Sequence, residues 1–247
     1  MNIIEEKYGI HRLKTISVFG LTESDVAKQL TQFKQLFPQF KLEIESKFPE
    51  IHLKIYTGQP DGDGFEDSLE TVVAWVYRKL GQHVYSDTGQ SMQQVVGTLL
   101  SEKNATLAVA ESCTGGLIAN LLTDVPGSSD YFLFSAVTYA NQAKMKILDV
   151  TADTLESNGA VSEQTAREMA RGAKKVVDAT YGLATSGIAG PGGGTDDKPV
   201  GTLCIGLATP LSVRGHRFNF SDHNRSLNKQ IFAITALDLL RKELLNA

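Results

Sequence analysis

The sequence has 247 residues, of which 42% are hydrophobic and 21% charged, a composition typical of globular proteins. Its formal net charge of −4 provides no general attraction to nucleic acid or to an anionic membrane. The apolar runs are shorter than the ~18 residues that span a bilayer, and no basic segment followed by an apolar one marks a secretory signal. We therefore expect a cytoplasmic protein that binds neither nucleic acid nor a membrane.

The cysteines and histidines show no pattern of a disulfide framework or a metal site. The two cysteines, Cys113 and Cys204, are expected to be reduced thiols, and Cys204 lies inside a predicted strand, where core packing explains it. The five histidines are scattered and lack metal-ligand spacing. We expect no metal and no cofactor.

The first 85 residues predict a small α+β domain in the order strand, helix, strand, strand, helix. The strands are predicted within 15–19, 42–45 and 51–56, where apolar and polar residues alternate. The first helix is predicted to start at Thr22 and to present one apolar face, and the second to run to a C-cap at Gly81. The apolar face of the first helix consists of Val26, Leu30, Phe33 and Phe37.

Residues 86–247 predict a second domain with a three-layer α/β/α architecture. The stretch from Gly81 to Gly89 suits a boundary, and beyond Ser91 predicted strands alternate with predicted helices. The last two strands, predicted at 200–208 and 213–220, follow each other directly, which makes the sheet mixed.

One strand-turn-helix segment in this second domain carries several reactive side chains. The apolar run 106–110 is followed by Ser112-Cys113-Thr114-Gly115-Gly116 and then by apolar residues at helical spacing. Glycine allows the backbone to approach a ligand closely, and N–H groups at a helix start can hold an anion or an oxyanion. An ordinary strand-to-helix connection with capping hydroxyls is the alternative interpretation.

Two further clusters follow predicted strands in the same domain. One is Val137 to Lys144, and the other is the glycine-rich stretch Gly187 to Thr195. Because ligands bind outside the carboxyl ends of strands in open α/β sheets, the three clusters indicate one site. The glycine-rich stretch matches neither a Walker loop nor the dinucleotide fingerprint, but its unhindered N–H groups can form an anion-binding concavity.

Ser112 and Lys144 form a candidate nucleophile and base. A serine hydroxyl needs a base, and a lysine serves only when neutral, which requires its pKa to fall by roughly three units from about 10.4. Burial against apolar strands can produce such a shift. Tyr139 is expected to relay a proton or to hold the lysine. Cys113 is the competing nucleophile, but it has no histidine near it in the sequence.

Five blocks carry a family resemblance: 110–116, 137–144, 159–162, 187–195 and 198–202. In this order they resemble the C-terminal domain of the CinA (competence/damage-inducible) family, whose stand-alone members are nicotinamide-nucleotide amidohydrolases. Residues 13–85 are similar to the smaller KH-like middle domain of full-length members. The family's first, molybdopterin-binding-like domain has no counterpart in this sequence, so the resemblance implies that its nucleotide pyrophosphatase activity is absent.

The resemblance implies hydrolysis of the carboxamide of nicotinamide mononucleotide to nicotinic acid mononucleotide and ammonia, by a homodimer. It assigns Ser112 as the nucleophile and Lys144, with Tyr139, as the proton-transfer groups. The remaining implied site residues bind the substrate. They are Thr114, Gly115 and Gly116 around the oxyanion, and Gly187, Gly190, Gly192, Gly193 and Arg225 around the phosphate.

One segment departs from the family pattern. Members of the family carry Gly-Asp-Arg before the last helix, whereas this chain has Asp222-His223-Asn224-Arg225, and Lys229 stands where the family has a second arginine. A catalytically silent nucleotide-binding or competence-linked interaction protein is therefore the alternative function. Nucleic-acid binding is disfavoured, since the KH-like region has no basic Gly-x-x-Gly and its loop Gly58–Gly64 is acidic.

Overall fold

The computed structural model describes residues 11–57, 65–221 and 224–247, and their side chains except at 11–13 and 65–67. The acidic loop at 58–64 and the dipeptide at 222–223 lie outside these residues. The chain divides into two compact units, residues 1–92 and 93–247. This division falls later than the expected boundary at residue 85, because a strand at Val84–Ser86 belongs to the sheet of the first unit.

The first unit is built on an antiparallel sheet. Its strands are β1 (His11–Phe19), β2 (Phe40–Lys47), β3 (Glu50–Thr57) and β4 (Val84–Ser86), in the order β2-β3-β1-β4. The three predicted strands are present. The fourth was not predicted, because its three residues are too few to show an alternating pattern.

The helices of the first unit correct one prediction. The expected continuous helix after Thr22 is divided into α1 (Glu23–Gln29) and α2 (Phe33–Leu36). The hydroxyl of Thr31 donates to the carbonyls of Ala27 and Lys28, which a continuing helix would use for its own N–H groups. The next helix, α3 (Phe65–Leu80), is followed by a 3₁₀ turn at Gly81–His83.

The predicted apolar face survives this break. Its side chains lie in the core of the unit, where the rings of Phe33 and Phe37 pack on Trp75 of α3 with centroids 6.0 and 5.5 Å apart. Burial of these large side chains, rather than helix propensity, therefore holds the two short helices in place.

The second unit contains a mixed five-stranded sheet and the remaining helices. The strands are β5 (Leu107–Glu111), β6 (Phe132–Val137), β7 (Tyr181–Gly187), β8 (Thr202–Ala208) and β9 (Val213–Asn219), in the order β6-β5-β7-β8-β9. The helices are α4 (Met92–Glu102), α5 (Leu117–Thr123), α6 (Asn141–Leu148), α7 (Ala152–Asn158), α8 (Glu163–Val176) and α9 (Arg225–Asn246), with a 3₁₀ turn at Ser128–Asp130.

Helices cover both faces of this sheet. Ala108 and Ala110 of β5 lie in one core with side chains of α6 and α8, while α5 and α9 pack together on the other side, α9 against β7 and β8. Strands β6, β5 and β7 run parallel to one another, while β8 is antiparallel to both of its neighbours, β7 and β9. The α/β class and the mixed sheet are therefore confirmed. Within the described ranges, no helix has the length and apolar character needed to cross a membrane.

A glycine on β8 allows α8 to lie against the sheet. A β-carbon at Gly206 would overlap the carbonyl oxygen of Ala166 in α8. We expect Gly206→Ala to lower the free energy of unfolding by about 2–3 kcal/mol, because either the helix or the strand must move. Urea denaturation measures this change. Gly192→Ala is the matched control, since a β-carbon there meets open space, and an equal loss in both variants would contradict the packing argument.

Candidate active site

The serine turn begins at the carboxyl end of β5. The N–H of Ser112 donates to the carbonyl of Thr185 in β7 at 3.0 Å, which ties the turn to the neighbouring strand. Gly115 and Gly116 follow with φ of +62° and +93°, a left-handed conformation that favours glycine. These two residues turn the chain from the strand into α5. The predicted strand, turn and helix are all present.

Lys144 reaches the serine from the neighbouring helix. It lies in α6, which follows β6, and its side chain is only 1% exposed. Its Nζ is 3.4 Å from Ser112 Oγ, 2.8 Å from the carbonyl oxygen of Thr138 and 3.2 Å from that of Tyr139. The pair expected from the sequence is therefore in contact, at a distance that is long for a hydrogen bond.

The surroundings of Lys144 favour its neutral form. The three oxygens within hydrogen-bond distance of Nζ are all uncharged, and no carboxylate lies within ion-pair distance of Nζ among the described residues. Burial lowers the pKa of the Lys144 amine below its ordinary value, because a charged ammonium loses hydration in the interior.

Tyr139 contacts the lysine only through its backbone. Its side chain is 63% exposed, and its hydroxyl accepts a hydrogen bond from Nη2 of Arg225 at 3.1 Å. Of the two roles expected for Tyr139, holding the lysine thus falls to the main-chain carbonyl. The hydroxyl is directed to a different partner.

Cys113 is poorly suited to be the nucleophile. It is 5% exposed, and burial raises the pKa of its thiol to about 12. At neutral pH the thiol is therefore protonated, whereas nucleophilic cysteines depend on a lowered pKa. Cys204 is buried in β8, in agreement with its predicted packing role.

The N-terminus of α5 is occupied by a buried carboxylate. Glu111 is fully buried and accepts hydrogen bonds from the N–H groups of Gly116 at 2.8 Å, Ile118 at 3.2 Å and Ala119 at 2.9 Å. The N–H of Gly115 donates to the carbonyl of Ser112 at 3.2 Å. In this geometry the N–H groups of Gly115 and Gly116, which were expected to hold the oxyanion, both have acceptors within the chain.

The third residue expected around the oxyanion has its side chain engaged elsewhere. Thr114 is fully buried, and its Oγ1 lies 2.8 Å from that of Thr185. Its backbone N–H, like that of Cys113, has no backbone acceptor in the part of the chain that the structure describes.

Glu111 was not predicted to have a role, although a carboxylate close to a helix start is a recognisable signal. We expect Glu111→Ala to lower the free energy of unfolding by about 2–4 kcal/mol, since three N–H groups lose their acceptor in a buried position. Thermal unfolding compared with Glu102→Ala, an exposed glutamate at the end of α4, measures the effect. A loss no larger than that of the control would show that water replaces the carboxylate.

A cavity of about 270 Å³ lies beside Ser112. It opens between the carboxyl ends of the parallel strands and the glycine-rich loop, so the structure brings together most of the site residues that the sequence indicated. The lining includes Ser112, Cys113, Tyr139, Gly187, Gly190, Gly192, Gly193 and Arg225. Thr114, Gly115 and Gly116 lie outside this lining.

Two cations from the first turns of α9 lie at the site. Arg225 Nη1 donates to the carbonyl of Gly190 at 2.7 Å, and a β-carbon at Gly115 would be 3.4 Å from Lys229 Nζ. Residues four apart share one face of a helix, which explains why both side chains lie on the side of α9 that faces the site. Neither has a carboxylate partner among the described residues. The sequence indicated Arg225, whereas Lys229 entered only as a departure from the family pattern.

Acidic and metal-binding side chains are not concentrated here. Within the described residues, no group of three or more His, Cys, Asp or Glu side chains is placed to share a metal ion. The chemistry that the described side chains themselves support is attack by a hydroxyl assisted by an amine.

The sequence profile described as CinA C-terminal domain matches residues 89–244. A CinA-like protein of Desulfosudis oleivorans is 53% identical over 232 residues, which is 94% of this chain and 56% of the relative. A CinA-like protein of Geobacter metallireducens is 41% identical over 249 residues, which is 99% of this chain and 60% of the relative. The chain thus spans a little over half the length of the curated relatives it matches.

Solved structures are similar over more than half of the chain. The competence/damage inducible protein CihA of Agrobacterium tumefaciens is 39% identical, with a TM-score of 0.60 over 62% of this chain and 93% of its own. A CinA superfamily protein of Klebsiella pneumoniae is 28% identical, with a TM-score of 0.60 over 64% of this chain and 100% of its own. The fold, the sequence profile and these relatives lead to one conclusion: the chain belongs to the CinA family.

Proposed function

We propose that this protein hydrolyses the carboxamide of nicotinamide mononucleotide, giving nicotinic acid mononucleotide and ammonia. The observation that carries the proposal is the contact between a buried lysine, which has no carboxylate partner among the described residues, and a serine that lines a cavity. Lys144 Nζ lies 3.4 Å from Ser112 Oγ, and burial lowers the pKa of the amine. The choice of substrate follows from the family resemblance.

The acceptors around Lys144 suit a neutral amine that acts as a base. A neutral amine has two N–H donors and one lone pair. The carbonyls of Thr138 and Tyr139, at 2.8 and 3.2 Å, can take the two donors. The lone pair is then left for the hydroxyl proton of Ser112, which is the arrangement that general-base catalysis requires.

The proposed reaction has two halves. Ser112 Oγ attacks the carboxamide carbon while its proton passes to Lys144. The attack produces a tetrahedral intermediate at that carbon. Collapse of this intermediate breaks the C–N bond, and the lysine ammonium returns the proton so that ammonia leaves. Water then attacks the acyl-enzyme ester while one of its protons passes to Lys144. The ester C–Oγ bond breaks, the lysine ammonium returns the proton to Ser112 Oγ, and the acid product leaves as the carboxylate after it loses its proton to solvent.

The oxyanion is assigned to the backbone that directly follows the nucleophile. The N–H groups of Cys113 and Thr114 have no backbone acceptor within the described residues, in contrast to those of Gly115 and Gly116. Donors aimed at a developing oxyanion contribute most when they are already in place before the reaction. Of the three residues that the resemblance implies around the oxyanion, the proposal therefore keeps Thr114, adds Cys113 and leaves out Gly115 and Gly116.

The phosphate is assigned to the part of the cavity lined by Arg225 and the glycine-rich loop. Arg225 supplies a guanidinium, and the loop at Gly190, Gly192 and Gly193 supplies an unhindered backbone. A guanidinium matches phosphate in charge and hydrogen-bond geometry. Lys229 adds a second positive charge near Gly115.

Incubation of the purified chain with nicotinamide mononucleotide tests the proposal. We expect equimolar ammonia and nicotinic acid mononucleotide, measured by a coupled ammonia assay and by chromatography of the nucleotide. Titration calorimetry with the same nucleotide runs in parallel. Binding without turnover would reject the amidohydrolase and favour the silent nucleotide-binding protein, and neither binding nor turnover would reject both.

A further inference from the structure

The guanidinium of Arg225 joins the two walls of the cavity. Nη1 donates to the carbonyl of Gly190 at 2.7 Å, and Nη2 donates to the hydroxyl of Tyr139 at 3.1 Å. Gly190 belongs to the loop after β7, and Tyr139 follows β6. One side chain from the start of α9 thus connects the chain segments that follow two different strands.

These two hydrogen bonds orient the guanidinium of Arg225 without neutralising its charge. Both acceptors are uncharged, and no carboxylate pairs with the guanidinium in the described part of the chain. A guanidinium has five N–H donors, so three remain after these two bonds. The group is therefore held in one direction with its charge and most of its donors available to an anion, which is how preorganisation increases affinity.

The hydroxyl of Tyr139 is committed to this cation rather than to the base. The contact between Tyr139 and Lys144 uses the main-chain carbonyl, at 3.2 Å from Nζ. Tyr139 is largely exposed and lines the cavity. Replacing the hydroxyl with hydrogen would thus leave the contacts of Lys144 unchanged and free one N–H of Arg225.

We propose that Tyr139 is a positioning residue that holds Arg225 for the anionic phosphate of the substrate, and that its hydroxyl does not transfer the proton in the chemical step. The inference rests on the proposed function, because it specifies how that same site selects a phosphorylated substrate. It assigns the tyrosine to affinity and substrate selection.

Kinetics of Tyr139→Phe on two substrates test this role. The substrates are nicotinamide mononucleotide and its nucleoside, which lacks the phosphate. We expect KM for the mononucleotide to rise about tenfold, the effect of weakening one hydrogen bond to a charged group, and kcat to fall far less. The preference for mononucleotide over nucleoside, as the ratio of kcat/KM values, should fall by the same factor.

Arg225→Ala provides the double-mutant cycle. If Tyr139 acts through Arg225, adding Tyr139→Phe to Arg225→Ala should change the substrate preference no further. A proton-transfer role predicts the opposite pattern, in which kcat falls equally on both substrates and the preference is unchanged. Either that pattern or independent effects of the two substitutions would overturn the inference.

Failure of the proposed function would be recognised separately. If the wild-type chain releases no ammonia from either substrate, the amidohydrolase proposal fails and the inference is tested by binding alone. Calorimetry should then show that Tyr139→Phe weakens binding of the mononucleotide about tenfold more than binding of the nucleoside. Equal weakening of the two ligands, or no change in either, would overturn it.

Discussion

Ser112→Ala is expected to reduce kcat for nicotinamide mononucleotide by about 10⁴-fold or more. Without the serine hydroxyl no acyl-enzyme can form, and Lys144 alone cannot supply the missing nucleophile. The turn itself should remain intact, because its backbone contact to Thr185 and the cap of Glu111 do not involve the serine hydroxyl. Ammonia release over extended incubation measures the loss, and calorimetry with the mononucleotide shows whether the cavity is preserved.

Cys113→Ala is the matched control for the nucleophile. The two side chains are adjacent and both line the cavity, but the pKa of the Cys113 thiol, raised to about 12, keeps it protonated. We expect this variant to retain measurable turnover and to form an acyl-enzyme at Ser112, detectable by mass spectrometry. A loss as large as that of Ser112→Ala, or residual activity of Ser112→Ala near the wild-type value, would reject the assignment.

Lys144→Met is expected to lower kcat by about 10³-fold, within the range that general bases contribute. Methionine occupies a similar volume in the buried position and cannot take a proton. Lys146→Met, two residues along the same helix and exposed to solvent, controls for the loss of a lysine from α6. Similar effects of the two substitutions on kcat would contradict a specific role for Lys144.

The pH dependence of kcat/KM follows from the same lysine. In the proposed mechanism the neutral amine is the active form, so kcat/KM should rise with pH through the pKa of Lys144 and then level off. Because burial lowers this pKa, the rise should be centred below the value near 10.4 of an exposed lysine. The rising limb should be missing in Lys144→Met. A kcat/KM that falls with pH over this range, or the same rise with pH in Lys144→Met as in the wild type, would exclude Lys144 as the base.

Local patterns in the sequence were sufficient to predict most elements. The alternation in β3 and the helical spacing in α8 follow from which face is buried, and this pattern needs no knowledge of distant residues. Helix α7 was missed because its sequence is polar. The side chain of Thr151 caps its start, and Glu168 of α8 accepts hydrogen bonds from the N–H of Thr151 and the hydroxyl of Thr154. Glu168 lies 17 and 14 positions from these two residues in the sequence.

The site shows where local patterns stop being informative. The sequence by itself determined that Ser112 begins a turn between a strand and a helix, and that Tyr139 and Lys144 follow another strand. The parallel order of β6, β5 and β7 decided that these segments meet, since it places their carboxyl ends at one edge of the sheet.

Directions of side chains and the partners of N–H groups were decided only by the tertiary structure. Spacing cannot distinguish the hydroxyl of Tyr139 from its carbonyl, and Arg225, 86 residues away in the sequence, takes the hydroxyl. Likewise, Glu111 and not a substrate occupies the start of α5, because a buried carboxylate and three N–H groups satisfy one another there. Composition and periodicity identify which groups are present, and packing in three dimensions decides which of them remain available for a ligand.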